Sequence, residues 1–264
     1  MHPVFRLGNL PHTEFFGDVL DFRMSQISPV AARYLSNEYL RENPSWDVED
    51  SPWKAGKVRE LLAAHAIVPK SLVDVGCGAG IVLAELQKIY EEAHFIGYDI
   101  APDAESFWEQ ARRMGIELRV GDFLQSEVPI QDVLLALDVL EHLQDPFAFL
   151  SSLKGRAKHY IFHFPLDLSA LSVLREAPLL NVRKKVGHIH YYTRRLALAL
   201  LEDCGYRIVD ARYTGAAFSA PKLGWKAQIA RVPRRFAFAL NHDWGARLLG
   251  GETLLVLAKV DDHQ

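Results

Sequence analysis

Cysteine is scarce in this chain: only Cys77 and Cys204 occur in 264 residues. Two thiols cannot build the disulfide framework of a small secreted domain, and a core of this length needs none. A reducing, cytoplasmic setting is therefore expected. Long apolar runs are also missing, since no stretch reaches the roughly 18 residues that a membrane span requires. The first twenty residues mix His, Pro, Glu and Asp with apolar side chains, unlike a secretory signal. No internal repeat or low-complexity tract is visible, which argues against a solenoid or a disordered linker.

A large net charge is lacking too, because the chain carries only −3 at neutral pH. That balance conceals two basic stretches. Residues 165–195 hold Arg175, Arg183, Lys184, Lys185, Arg194 and Arg195 against Asp167 and Glu176. Residues 212–247 hold seven cations against Asp243, so the remainder is acidic. Such segments suit an anionic small molecule, a nucleic acid or a membrane surface, or serve simply as solvated faces.

What is present is an alternation of strand-like and helical patterns. Strands are predicted near 71–75, 94–99, 116–120, 132–137, 158–164, 207–213 and 252–259. Helices are predicted over Val30 to Arg41, Trp53 to Ala66, Ile81 to Tyr90, Pro102 to Met114, after Asp145-Pro146, and from Thr193 to Cys204. The pattern implies an α/β fold, a doubly wound and mostly parallel seven-stranded sheet with an antiparallel edge. Residues 1–52 read as an N-terminal helical extension or cap, and 53–264 as the main domain. Insertions at 165–192 and 214–251 are long enough to form lids.

The densest signal is Leu72-Val-Asp-Val-Gly-Cys-Gly-Ala-Gly80, a strand running into three alternating glycines and then a helix. Glycines there let a nucleotide-like ligand approach the backbone. The dinucleotide fingerprint G-x-G-x-x-G is not met, because Ile81 stands where its last glycine belongs. Asp99 closes the second strand about 20 residues on, where a carboxylate can accept both ribose hydroxyls of a nucleoside. Asp122 follows the third strand in Val120-Gly-Asp-Phe123; it can accept from an adenine amine, with Phe123 near the ring, or simply cap a turn.

The motif Asp74-Val-Gly-Cys-Gly-Ala-Gly80 resembles the first motif of class I S-adenosylmethionine (SAM) methyltransferases. The run Asp138-Val-Leu-Glu-His-Leu-Gln-Asp-Pro146 resembles the D-x-L-E-H-[LV]-x-D-P stretch of small-molecule members, the group that includes the ubiquinone-biosynthesis O-methyltransferases. Gly187-His-Ile-His-Tyr-Tyr-Thr193 and the helix ending Cys204-Gly-Tyr206 resemble two further segments of that family, in the same order. The resemblance spans about residues 53 to 260. It implies a Rossmann-like class I fold, SAM as cofactor, and methyl transfer to a hydroxyl or amine of a small or carrier-linked intermediate, and the basic stretches suggest that this intermediate is anionic. Asp74, Gly76, Cys77, Gly78, Asp99, Ile100, Asp122, Phe123, Asp138, Val139 and His142 are the implied cofactor-site residues. Trp53 and Lys54, in the first turn of a helix opened by Pro52, are added as a cover and a cation for the cofactor's carboxylate, against a reading as core anchor and solvated lysine.

His142, His163, His188 and His190 are candidate bases, the first three carried forward, because histidine titrates near neutrality. His188 and His190 would lie on one side of an extended segment and could join Glu141 or His163 around a metal. No third ligand is identifiable from sequence, so no metal is assigned. The Asp138 motif is not the Asn/Asp-Pro-Pro-aromatic motif of DNA amino-methyltransferases, which argues against nucleic acid as partner. Two rival readings remain: an NAD-type oxidoreductase, and a non-catalytic nucleoside-binding interaction module.

Overall fold

The computed structural model describes residues 29–46, 48–216 and 237–260. Residues 1–28 of the expected 1–52 extension and residues 217–236 of the expected 214–251 insertion lie outside the described residues. Seven strands form one sheet: β1 (Ser71–Val75), β2 (His94–Asp99), β3 (Glu117–Val120), β4 (Gln131–Leu137), β5 (Ala157–Leu166), β6 (Tyr206–Tyr213) and β7 (Glu252–Val260). Their order is β3-β2-β1-β4-β5-β7-β6. All pairings are parallel except those of β7, which runs antiparallel to both β5 and β6. This is the mostly parallel, doubly wound sheet with an antiparallel edge that the alternation implies. Strand order reverses between the parallel neighbours β1 and β4, so a crevice opens beyond their carboxyl ends, the usual ligand position in such sheets.

Strand residues alternate between two buried layers. Val73, Ile96, Leu134 and Phe162 face one layer, built with the helices Pro146–Leu153 and Arg194–Asp203. Leu72, Phe95, Val133 and Ile161 face the other, packed by the helices Ser51–Ala64 and Ile81–Gln87. Burial on both sides explains why these strands read as continuous apolar runs. Among the described residues no helix is long and apolar enough to cross a membrane.

Two helical expectations are corrected. The N-terminal helix divides into Pro29–Leu35 and Glu38–Glu42, because Asn37 adopts φ 52° between them; asparagine tolerates that left-handed region better than most residues. The Pro102 to Met114 segment becomes a 3₁₀ turn (Pro102–Phe107) followed by a short α-helix (Glu109–Arg113). Trp108 sits at the junction, fully buried, and its indole N–H donates to the carbonyl of Gly78 at 2.7 Å. The tighter turn places that indole beneath the glycine loop.

The basic stretch after β5 holds two short helices, Ala170–Arg175 and Ala177–Lys185. Residues before the helix Ser51–Ala64 are tied to the second. Arg33 donates to the carbonyls of Lys184 and Lys185 at 2.8 and 2.7 Å, and Asn43 donates to Lys185 at 3.3 Å.

Candidate active site

The glycine turn is held by its neighbours. The amides of Gly76 and Cys77 both donate to the carbonyl of Tyr98, at 2.8 and 3.0 Å, which fastens the end of β1 to β2. Gly76 has φ 78°, and a Cβ built on it would stand 2.7 Å from Val139 Cγ2. A Cβ on Gly78 would meet the Trp46 indole at 2.9 Å. Both positions thus require glycine, for conformation and for space.

Two cavities adjoin this turn. The first, about 190 Å³, is lined by Gly76, Gly78, Asp99, Ile100, Val139 and His142, with Tyr34, Tyr39 and Trp46 from the cap. The second, about 350 Å³, shares Tyr39, Trp46, Gly76, Gly78, Asp138 and His142 with it and adds Trp53, Lys54, Asp74, Cys77, Glu141, His163 and His188. Asp122 and Phe123 line neither. Asp122 caps the turn that follows it, accepting from the Leu124 amide at 2.9 Å, and Phe123 is buried against Tyr98.

Four carboxyl groups cluster here in distinct states. Asp99 accepts from the amides of Gly78 and Ala101 at 2.8 and 2.9 Å; burial pushes its pKa up, and these two bonds oppose the rise. Asp74 is buried with Oδ1 unpartnered, and burial, aided by the Asp99 charge, raises its pKa to about 7. Asp138, at φ 55°, is the contrary case. Burial works against its ionisation, but His163 at 2.6 Å and Lys54 at 2.6 Å outweigh it and hold the carboxyl well below the usual range. Glu141 is fully buried, neither carboxyl oxygen has a hydrogen-bond partner, and burial followed by the Asp138 charge pushes its pKa well up.

The histidines separate by what their nitrogens do. His163 is occupied at both, by Asp138 on Nδ1 and by Thr253 Oγ1 on Nε2 at 2.8 Å, so it orients Asp138. His190 is tied to the Leu143 carbonyl at 2.9 Å. His142 and His188 are held through Nδ1, by the Tyr34 hydroxyl at 2.8 Å and by Asp167 at 2.6 Å, and the Gly187 backbone also acts on the His142 ring. Their rings lie edge to face with centroids 4.9 Å apart. Burial, reinforced by the neighbouring His188, lowers the His142 pKa to about 4, so its imidazole is neutral at pH 7.

Sequence reasoning brought Trp53, Lys54, Asp74, Gly76, Cys77, Gly78, Asp99, Ile100, Asp138, Val139, His142, His163 and His188 to these cavities. It missed Tyr34, Tyr39, Trp46 and Asp167. Three aromatics within a short polar extension were the available signal for the first three; Asp167 offered none.

A parallel sheet of this order, with a glycine turn and an acidic β2 terminus at its crevice, is the fold of the class I methyltransferases. A family model described as a methyltransferase domain matches residues 50–211, and the chain belongs to that family. A ubiquinone biosynthesis O-methyltransferase from Histophilus somni (strain 2336) is 28% identical over 104 residues, 36% of this chain. The match spans 43% of that relative's length. Among solved structures, the N-methyltransferase NodS from Bradyrhizobium japonicum WM9, in complex with S-adenosyl-L-homocysteine (SAH), aligns with TM-score 0.55 at 16% identity, covering 86% of this chain and 98% of that one. Magnesium protoporphyrin IX methyltransferase from Synechocystis PCC 6803, with bound SAH, aligns with TM-score 0.54 at 17% identity, covering 80% and 83%. At these identities the structural likeness speaks for the fold.

Proposed function

We propose that this protein transfers the methyl group of SAM to a hydroxyl or amine of a small biosynthetic intermediate that is anionic or carrier-linked. The observation that carries the reading is the pairing of two adjoining cavities: one bounded by the glycine turn and Asp99, the other by two histidines whose Nδ1 atoms are held by Tyr34 and Asp167. The residues fit the cofactor, because Gly76 and Gly78, at positive φ, present bare backbone to the wall of the first cavity beside Asp99. SAM supplies an electrophilic methyl on a sulfonium. Asp99 accepts from the ribose hydroxyls, Ile100 and Val139 offer apolar surface to the base, and Asp74 with the Lys54–Asp138 pair surrounds the charged amino-acid end.

With methyl donor in one cavity and acceptor in the other, the protein's main tasks are alignment and exclusion of water. His142 and His188 are the acceptor-side groups able to receive or polarise its proton, and His163 positions Asp138. The anionic character of the acceptor rests on the net positive charge of 165–195, whose helix Ala177–Lys185 leads directly into Val186 and His188 of the second cavity.

Calorimetric titration tests the cofactor assignment. SAH should bind the wild type in the micromolar range and bind Asp99→Ala at least about tenfold more weakly, the worth of one charge-assisted bond. Undiminished binding to the variant, or binding of NADH in place of SAH, would remove the reading. Methyl transfer to any metabolite in a panel would dispose of the non-catalytic alternative.

A further inference from the structure

Glu141 presents a problem that the protein alone does not solve. Its side chain is wholly buried and both oxygens lack hydrogen-bond partners. An ionised carboxylate there needs a cation or several donors; a protonated one needs an acceptor for its own proton. The nearby charged groups are already engaged, Asp138 and Lys54 with each other, His163 with Asp138, and Asp167 with His188 Nδ1. What face Glu141 Oε1 are two imidazole nitrogens, His142 Nε2 at 3.8 Å and His188 Nε2 at 3.9 Å. Both separations are too long for hydrogen bonds.

The two imidazoles are prepared in the same way. The Tyr34 hydroxyl pairs with His142 Nδ1 at 2.8 Å and also reaches the Val186 carbonyl, and Asp167 accepts from His188 Nδ1. Asp167 puts the His188 ring proton on Nδ1, and the Nε2 atoms of both rings face Glu141 Oε1. A carboxylate or hydroxyl behind a histidine is how metal ligands are oriented and made more basic.

We propose that Glu141, His142 and His188 bind a divalent transition ion such as Zn²⁺, on the acceptor side of the cofactor crevice. Their ligating atoms lie within 4.8 Å of one another. Ligand bonds of about 2.0–2.1 Å put tetrahedral neighbours roughly 3.4 Å apart, so closing the observed 3.8 and 3.9 Å gaps takes shifts of about half an ångström. Two imidazoles and one carboxylate favour an ion of the zinc or cobalt type over magnesium or calcium, which take oxygen ligands. Three protein ligands leave a fourth position open, and the site borders the second cavity, where an acceptor oxygen would occupy it and be polarised. That catalytic consequence rests on the proposed methyl transfer; ion binding does not. His190, paired with His188 by sequence spacing, is replaced in this set by His142.

The full chain, stripped with chelator and titrated with Co²⁺, should bind one equivalent and show visible d–d absorption, with Zn²⁺ displacing it. Glu141→Gln, which keeps shape but removes charge, and His188→Ala should each weaken binding by about 100-fold or more, and Asp167→Asn by about 10- to 100-fold. Thermal unfolding confirms that each variant is folded. Absence of Co²⁺ and Zn²⁺ binding by the wild type, or an unchanged signal in Glu141→Gln, overturns the site. A parallel SAH titration keeps the two readings apart: SAH binding without ion binding sinks only the metal, and ion binding without SAH binding sinks only the methyl transfer.

Discussion

Replacing Gly76 by alanine would place a methyl group 2.7 Å from Val139 Cγ2, at a residue whose φ is 78°. Two costs follow from separate causes. A left-handed conformation costs a non-glycine residue about 1–2 kcal/mol, and forcing a methyl into packed surroundings costs about 1–3 kcal/mol. Gly76→Ala should therefore lose about 3 kcal/mol of stability in urea denaturation. Only the steric part depends on Val139, so a double-mutant cycle isolates it. Val139→Ala alone should cost about 1–2 kcal/mol through lost packing. In the Gly76→Ala background the same truncation should cost almost nothing, a favourable coupling of about 1–2 kcal/mol. SAH affinity should fall in Gly76→Ala, and it need not return in the double variant because Val139 itself borders the first cavity. A coupling below about 0.5 kcal/mol, within the scatter of independent sites, would refute the claim that Val139 is what forbids a side chain at position 76.

Other outcomes follow from the same site. His142, lowered from 6.5 to about 4, binds fewer protons folded than unfolded between those values, so its contribution of about 3 kcal/mol is lost as pH falls from 6.5 to 4; His142→Gln should flatten that limb of the stability curve in metal-free protein. Asp74, raised from 3.8 to about 7, acts in the opposite sense: the folded state holds the extra proton, stability declines as pH rises from 4 to 7, and Asp74→Asn should remove the decline in urea midpoints. Arg33→Ala deletes the bonds to the Lys184 and Lys185 carbonyls, and hydrogen exchange should show faster exchange in helix 177–185 with β1, β4 and β5 unchanged. Equal protection in that helix would mean the cap does not restrain it.

Strands were legible because burial on both sheet faces writes them as short apolar runs, and their ends were misplaced by no more than two residues. Helix Ser51–Ala64 was legible from Pro52 and its spacing, and Thr193 marked the start of Arg194–Asp203 as a cap that accepts from Leu196. Less legible were places where tertiary contact overrides local preference. Trp108 lies within the helix expected from Pro102 to Met114, at the junction of a 3₁₀ turn and a short α-helix, where its indole donates to Gly78. Asn37 lies within the helix expected from Val30 to Arg41 and, at φ 52°, divides it. Asp122 fitted two readings in sequence, and its carboxylate is engaged with the Leu124 amide, a contact no spacing distinguishes from an adenine contact.

The active site divides along the same line. Residues set by strand-end geometry, such as Gly76 and Gly78 after β1 and Asp99 at the end of β2, announce themselves, because backbone geometry dictates both type and spacing. Residues that act by pairing across segments do not. Asp138, Glu141 and Asp167 are three acids of similar appearance in the sequence, and each is assigned its state by something far away in the chain. Lys54 and His163 keep Asp138 ionised; His188 occupies Asp167; Glu141 is left with neither. Tyr34 reaches His142 across 108 residues. A carboxylate that is partnered by a lysine contributes structure and charge balance, whereas one that is buried without a partner is unstable until something binds it. The distribution of partners, rather than the count of acidic residues, is therefore what separates Asp138 from Glu141, and it is fixed only when residues 29–46, β4 and the segment after β5 come together.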